Sequence, residues 1–514
     1  MKLPPLLVLC ALLSSSNAER INHEGRILGP APLVTAPVLF NTAQADAVVA
    51  SMQIMPKENP WNEDISRRPL LANSAAMMAQ ITADLSASRR TLRPFFEMNY
   101  VLVPDTQPLQ PVTFFNYPDE SDLNGGVSPV GRYPIPANLP VETWPSQTGA
   151  LTLSQWQQDA GNAGGDRHAI IVAPGTGKLW ETWLTKLSGS AWQASNGAVF
   201  NLNSNALRPA GWTSGDAAGL PMFPALVRYD ECQRGTVEHA LRLVVKRTRV
   251  GPVYPATHSA SAGNTTSADI PAMGERLRLN AGFVIPSTWT REEKAVLGAL
   301  KKYGAIVADN GGFFSVSVCP DNRFASGVFD HLSTVSISSF EVIKTTGPNE
   351  GPRSAGAPLV NAGQDQVVKF GSSAALQAVV TASSVTNLQW KMSSSPGAVT
   401  FSQPALAATS VSFSMPGHYT LLVSADDAVH AVAYDAVVVD VVFAIEPRRS
   451  GNDCRLQFPT VSGHIYQVEW STDMAPGSWN VLAGPLAGTG GVLEVIDSNV
   501  LGNARRFYRA VVIQ

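Results

Sequence analysis

Apolar residues in this chain recur mainly in short runs, bounded by Gly, Pro, Asn and Ser, with the two-residue spacing of half-buried strands. His168-Ala-Ile-Ile-Val-Ala, then Pro174-Gly-Thr-Gly, then Lys178-Leu-Trp-Glu-Thr-Trp predicts a β-hairpin. A further strand pair is expected around Trp192 and Val199–Leu202, turning at Asn196-Gly197. His239 to Arg247 and Arg276 to Asn280 read as strands, and Ala305–Asp309 with Phe313–Val318 predicts a hairpin across Asn310-Gly311-Gly312. Helical spacing is rarer. Asn73 or Ser74 can cap a helix through Leu85, with Ala75, Met78, Ile81 and Leu85 on one face. Thr290 to Tyr303 is the clearest helix: Thr290 and Glu293 form a capping box, Val296, Leu297, Leu300 and Tyr303 line one face, and Gly304 supplies the left-handed stop.

The texture changes after residue 346. GPNEGPRSAGAP, residues 347–358, is a linker by composition. Val367 to Val442 then gives about seven short strands with turns near Gly371, Ser393–Gly397 and Pro416-Gly417. NAGQDQVVKFGSSAALQAVVT, LQWKM and PGHYTLLVSADD resemble the polycystic-kidney-disease-type immunoglobulin-like sandwich, which implies a module that spaces or presents other domains. In residues 445–514, YQVEWSTDMAPGSWNVLAGPLAGTGG and RRFYRAVV resemble a small terminal β module frequent in secreted bacterial proteins, with Tyr466, Val468 and Trp470 facing one way. In the body, GDRHAIIV, RPAGWTSGDAAGLPMFPALVRYDE, EHALRL and ALKKYGAIVADNG resemble a family of secreted bacterial proteins, a likeness that brings no reaction with it. The expected fold is mainly β: a β-sandwich-like body with a few helices over residues 46–346, then two small β-sandwich modules at 359–443 and 445–514. Residues 19–45, rich in Pro and Ala, read as a linker or surface arm.

Composition adds location and exclusions. With 514 residues, 45% hydrophobic and 15% charged, the chain has material for a sizeable core. A net charge of −3 gives no electrostatic case for nucleic acid or an anionic membrane. Lys2, the apolar run Leu6 to Leu13 and the small-x-small site Ser16-Asn17-Ala18 read as a secretory signal over residues 1–18. No later apolar run reaches about 18 residues, so no transmembrane segment is expected. Cys232, Cys319 and Cys454 remain after signal removal; Cys232 and Cys319 could pair in an exported protein. No pattern specifies an oligomer.

The chemistry-bearing stretch is 207–242, LRPAGWTSGDAAGLPMFPALVRYDECQRGTVEHALR. Asp216 sits in a Gly-flanked loop, where it could act as an acid or base or merely fix an Asx turn. Asp230 and Glu231 are adjacent and would point to opposite faces of a strand; Asp216 with Glu231 is the preferred carboxyl pair for glycoside hydrolysis, against a strand-end salt bridge. His239 and His168 each begin an apolar strand and could converge for proton transfer, but without H-x-H or H-x-x-x-H spacing no metal is expected, and no cofactor motif is present. The PGTGK string lacks P-loop spacing, and Gly211-Trp-Thr-Ser-Gly215 lacks the nucleophile elbow.

Arg167, Arg228 and Arg242 could hold an anionic sugar while Tyr229 or His239 takes a proton in β-elimination; otherwise they pair with Asp166, Asp230 and Glu238. Asp309 is either hairpin-tip chemistry or a substrate contact. Asp119, Glu120 and Asp122 offer a calcium or substrate loop, or a solvated turn. Eight of eleven tryptophans fall in the body; Trp212 is the expected sugar platform, while Trp180 and Trp183 look like packing residues. The expectation is a secreted polysaccharide-active enzyme, hydrolase or lyase, with Asp216, Glu231 and His239 catalytic. Trp212, Arg228, Tyr229, Asp230, Arg242, His168 and Asp309 would contact an extracellular glycan. The alternative is a non-catalytic glycan-binding, adhesion or structural surface protein.

Overall fold

Strands dominate the computed structural model, as the patterning requires: thirty strands against five α-helices among the described residues. The structure describes residues 20–513 except 147, 162–164, 261–264, 346–355, 383, 499 and 501–504; the signal segment and most of the 347–358 linker lie outside the described residues. The chain divides into two units, residues 21–357 with 427–431, and residues 358–426 with 432–514.

Three sheets build the first unit. The expected hairpin of Ala169–Ala173 with Lys178–Trp183 forms, with Ala169 opposite Thr182 and Ala173 opposite Lys178. The next expected hairpin does not form. Ala191–Ala194 pairs with Gln110–Phe114 and Lys186–Ser188, whereas Asn196–Asn201 pairs with Lys178–Trp183. The chain changes sheets at Ser195. Gly197 is required by packing and not by a turn: a Cβ there would run into the Phe114 ring and the Tyr133 hydroxyl.

The six-stranded sheet carries the second correction. Its order is Phe340–Val342, Arg276–Leu279, Ala305–Asn310, Leu241–Val245, Phe314–Val318, Leu92–Phe96. Leu241–Val245, buried at every position, lies between the two strands expected to form a hairpin. A strand this apolar gains most from the centre of a sheet covered on both faces. Asn310-Gly311-Gly312 therefore spans the end of a third strand, with Gly311 N–H donating to the Val245 carbonyl at 2.8 Å.

The helix Arg291–Lys302 has the expected Thr290 cap and Glu293 capping box, and Gly304 takes φ +68°. The helix Ser74–Ala83 is rotated from the expected face: Met78, Ile81 and Leu85 are buried, but Ser74 and Met77 replace the exposed Ala75. Ser74 Oγ accepts the Val342 N–H at 2.8 Å, so a polar N-terminal residue is drawn to the sheet edge. Residues 21–45 pack into the body, with Ile21, Leu28, Val34 and Phe40 buried and Val38–Leu39 paired to Val101–Leu102. Irregularly spaced single anchors leave no periodic signal, which is why this segment reads as a loose arm.

The second unit holds two separate apolar clusters. One draws Trp390, Tyr419, Leu421 and Val437 from the sheet ordered Gln366–Lys369, Ala433–Val442, Gly417–Asp426, Asn387–Ser394, and Leu376 and Val411 from Ala374–Gln377 and Ala408–Phe413, which makes a sandwich. The other gathers Leu456, Phe458, Tyr466, Val468 and Val495 between two three-stranded sheets. Cys232, Cys319 and Cys454 are all buried free thiols, so the Cys232–Cys319 pairing that the sequence left open does not form. No helix among the described residues is long and apolar enough to cross a membrane.

Candidate functional site

Arg242 is the second residue of the central strand Leu241–Val245, and its side chain is 3% exposed. An arginine there must find acceptors for all its donors. Four elements supply them. Its Nε and Nη2 donate to the two oxygens of Asp216 at 2.7 and 2.8 Å, a bidentate pair. Nη2 also donates to Asp309 at 2.8 Å, and Nη1 donates to Ser317 Oγ at 3.1 Å and to Glu97 at 3.4 Å. Ser317 Oγ in turn donates to Glu97 at 2.6 Å.

Local sequence explains each placement. In the pairing of Leu241–Val245 with Ala305–Asn310, Leu243 lies opposite Val307 but Val244 lies opposite Asp309, so Ala308 is an extra residue. The bulge moves Asp309 onto the face that Arg242 and Val244 share, where an unbroken register would put Ala308. The Ala308 carbonyl accepts the Ala218 N–H at 2.9 Å, which ties the bulge to the Asp216 loop. That loop is closed by Ser214, whose Oγ accepts the Asp216 N–H at 2.9 Å and donates to the Leu220 carbonyl at 2.7 Å. Gly215 lets it lie on Glu181, since a Cβ there would meet Met222 Cε at 2.8 Å and Glu181 Cβ at 3.2 Å. Glu97 follows the edge strand Leu92–Phe96, and its N–H donates to the Val318 carbonyl at 3.1 Å.

Further acids surround this core. Glu142 lies 2.9 Å from His168 Nδ1 and accepts the His168 N–H at 3.0 Å. Glu181, fully buried, accepts the N–H groups of Met222 and Phe223 at 2.9 Å. Five carboxyl groups (Glu97, Glu142, Glu181, Asp216, Asp309) thus share one electrostatic neighbourhood with two cations, Arg242 and His168. The surplus shows in the proton affinities. Burial pushes Glu97 up to about 7 against the opposing pull of Arg242. Burial likewise raises Glu181 to about 7, and raises Asp309 to about 6 with help from Asp216. Burial would lower His168, but the charge and hydrogen bond of Glu142 outweigh it and raise the ring to about 9. Glu97 and Asp309 are the members that meet solvent, with side chains 20% and 24% exposed against 1% for Asp216.

The structure thus brings Asp216, Arg242, Asp309 and His168 together, and it separates them from the rest of the expected site. Tyr229–Arg234 is a short helix, not a strand, and Glu231 folds back to accept the Arg228 N–H at 3.3 Å. Arg228 Nη2 donates to Glu231 at 2.6 Å, and His239 Nε2 lies 3.1 Å from the same carboxylate. Asp230 takes Arg234 at 2.6 Å. Burial would raise Glu231, but Arg228 and His239 hold it down at about 2. The cleft beside this group, lined by Asn22, Arg26, Glu231, Glu238 and His239, has room for a water molecule or two and not for a sugar ring.

The preferred pair Asp216 and Glu231 therefore does not form: each carboxylate serves its own arginine, and no hydrogen-bond partner is common to both. His239 faces Glu231 and not Asp216. Tyr229 packs under Arg323, 4.1 Å from its ring centroid. Trp212 lies against Arg208, which pairs with Asp122, while Glu120 accepts the Thr213 N–H at 3.0 Å. The acidic 119–122 turn is thus a clamp on the Trp212 loop. Arg167 pairs with Asp159 and not Asp166, and Glu238 with Arg26. No group of His, Cys, Asp and Glu among the described residues could hold a metal ion.

Sequence reasoning missed Glu97, Glu142, Glu181 and Ser317. A signal existed for the acids: Phe95-Phe96-Glu97-Met98, Val141-Glu142 and Leu179-Trp180-Glu181 each place a single acid within an apolar run. A charge in such a run is either buried with partners or breaks the strand.

No family model matches the chain, and no curated protein matches it. Partial likenesses exist among solved structures. A nucleoside hydrolase-related hypothetical protein from Saccharophagus degradans, associated with carbohydrate metabolism, is 18% identical over 27% of this chain and 36% of its own, with a TM-score of 0.16. The insect immune protein hemolin is 12% identical over 40% of this chain and 48% of its own, with a TM-score of 0.17. The secreted serine protease VesC from Vibrio cholerae is 9% identical over 34% of this chain and 54% of its own, with a TM-score of 0.15. Similarity at that level assigns neither a family nor an activity.

Proposed function

We propose that the body is a secreted enzyme that cuts extracellular polysaccharide by acid–base chemistry at Glu97 and Asp309. The observation that carries this reading is the pair itself. Both carboxyls hydrogen-bond one buried guanidinium, both side chains are partly exposed, and their proton affinities of about 7 and about 6 straddle the range in which one is protonated while the other is ionised. Glu97 is the acid and Asp309 the base. Asp216 fixes Arg242, and Ser317 orients Glu97. The secretory start and the two C-terminal β modules, the first read as polycystic-kidney-disease-type, support an extracellular role presented on spacers.

The second reading, a glycan-binding or structural surface protein, is favoured by the same saturation seen from outside: Asp216 and Glu231 are both consumed by arginines. A glycan panel assayed for new reducing ends separates the two. Turnover by the wild type that is lost in Glu97→Gln and in Asp309→Asn supports the enzyme. Binding without turnover supports the second reading.

A further inference from the structure

Resting on the enzyme reading, we propose that the sugar at this site carries no carboxylate or sulfate, and that its polymer is cut by hydrolysis and not by elimination.

Elimination from a uronate needs a cation whose donors are open to the sugar's carboxylate, so that negative charge developing there is neutralised as the neighbouring proton leaves. No arginine of the network has donors to lend. Each of the three nitrogens of Arg242 already donates to Asp216, Asp309, Glu97 or Ser317. His168 is a buried ring whose Nδ1 is held by Glu142, which leaves Nε2 as its one remaining donor. Arg167, the arginine next to His168, spends its donors on the carbonyls of Thr185 and Trp156 and on Asp159. Arg228 belongs to the other network.

Charge balance gives the same answer. The two network side chains most open to solvent, Glu97 and Asp309, are both acids, so an incoming anion gains less there than a neutral or amino-bearing sugar.

Hydrolysis needs a proton donor and a proton acceptor, the roles assigned to Glu97 and Asp309. Glu97 gives its proton to the glycosidic oxygen as the bond from that oxygen to the anomeric carbon breaks, with the electron pair leaving on the oxygen. A water oxygen bonds to the anomeric carbon, and its proton passes to Asp309.

The test uses the mature full-length protein on a panel of neutral polymers (β-glucan, mannan), one amino polymer (chitosan) and anionic polymers (alginate, pectate, heparan sulfate). Reducing ends and the absorbance of unsaturated uronates are read in parallel. The expected result is reducing ends from a neutral or amino polymer, at a rate exceeding that on any anionic polymer by roughly tenfold or more, with no unsaturated product. Unsaturated uronate, or an anionic polymer turned over as fast as a neutral one, overturns the inference. If that turnover is still lost in Glu97→Gln, the enzyme reading survives it. No turnover of any polymer overturns both.

Discussion

Two buried arginines in this body show how similar ingredients give different chemistry. Arg228 and Arg242 each sit beside acids and near a histidine, and each is almost fully buried. Around Arg228 two arginines (Arg228, Arg234) meet two acids (Asp230, Glu231), and Glu231 is held down at about 2. Around Arg242 the acids outnumber the cations, and three of them are raised into the neutral or near-neutral range. A balanced, closed group locks its protons and serves the fold. A surplus of acid with two members at the surface exchanges protons with solvent and can do work on a ligand.

The sharpest way to break this comparison is to neutralise one acid in each group. Glu97→Gln is expected to lower turnover by roughly 10²–10⁴-fold, the usual contribution of a general acid, while the denaturant midpoint does not fall below that of the wild type. Glu231→Gln is expected to do the reverse. It leaves Arg228 buried without its counter-charge, a loss of about 3–5 kcal/mol in unfolding free energy, with turnover per folded molecule unchanged. Chemical denaturation and specific activity measured on the same preparations decide it; a Glu231→Gln protein that is stable but inactive would reverse the assignment of the two groups.

A smaller effect follows from pH. Glu97 has a folded proton affinity of about 7, above its ordinary 4.5, so its contribution to stability is fully present below 4.5 and is lost as pH rises through 4.5 toward about 7. Glu231, lowered to about 2, contributes stability above 4.5 that is lost as pH falls toward about 2. The two groups therefore oppose each other on either side of 4.5. In Glu97→Gln, the melting temperature is expected to lose its decline between about 4.5 and about 7; in Glu231→Gln it is expected to lose part of its decline below 4.5. Melting curves across that range, compared with the wild type, check both signs.

What the sequence carried of all this divides by range of interaction. The hairpin from Ala169 to Trp183 and the helix Arg291–Lys302 are local: their turn, cap and stop residues lie within a few positions of the groups they satisfy. The six-stranded sheet is not. Nothing near Asn310-Gly311-Gly312 announces that Leu241–Val245 will slot between the strands on either side, because the cause is a buried strand some sixty residues earlier in the chain. The site divides the same way. Asp216, Arg242, Asp309 and His168 were visible as chemistry-bearing residues. Their grouping was not, because it depends on a bulge at Ala308 that re-aims Asp309 and on an acid, Glu97, delivered by an edge strand about 145 residues before Arg242. Glu231 and His239 attracted attention by crowding within one window, yet crowding in sequence produced a short helix whose acids turn to the arginines beside them.

The last and smallest contrast is access. Cys232 follows Glu231 in the same helix, and Cys319 follows the strand Phe314–Val318; both are buried free thiols whose proton affinity burial pushes well above the usual thiol range. A thiol kept protonated and away from solvent is a poor nucleophile. Thiol-alkylating reagent is therefore expected to leave Cys232 and Cys319 unmodified in the folded protein and to label both after denaturation, and a reductant is expected to leave the melting temperature where it was. A carbodiimide with an added amine is expected to work in the opposite direction on the other group, modifying Glu97 and Asp309, whose side chains are partly exposed, before Asp216 or Glu231, whose side chains are not. Peptide mapping after brief exposure to each reagent reads both at once. Rapid alkylation of Cys232 in the folded state would mean that the Arg228 group opens on the timescale of the reagent. The distinction between a closed structural group and an open chemical one would then fail at its quieter end.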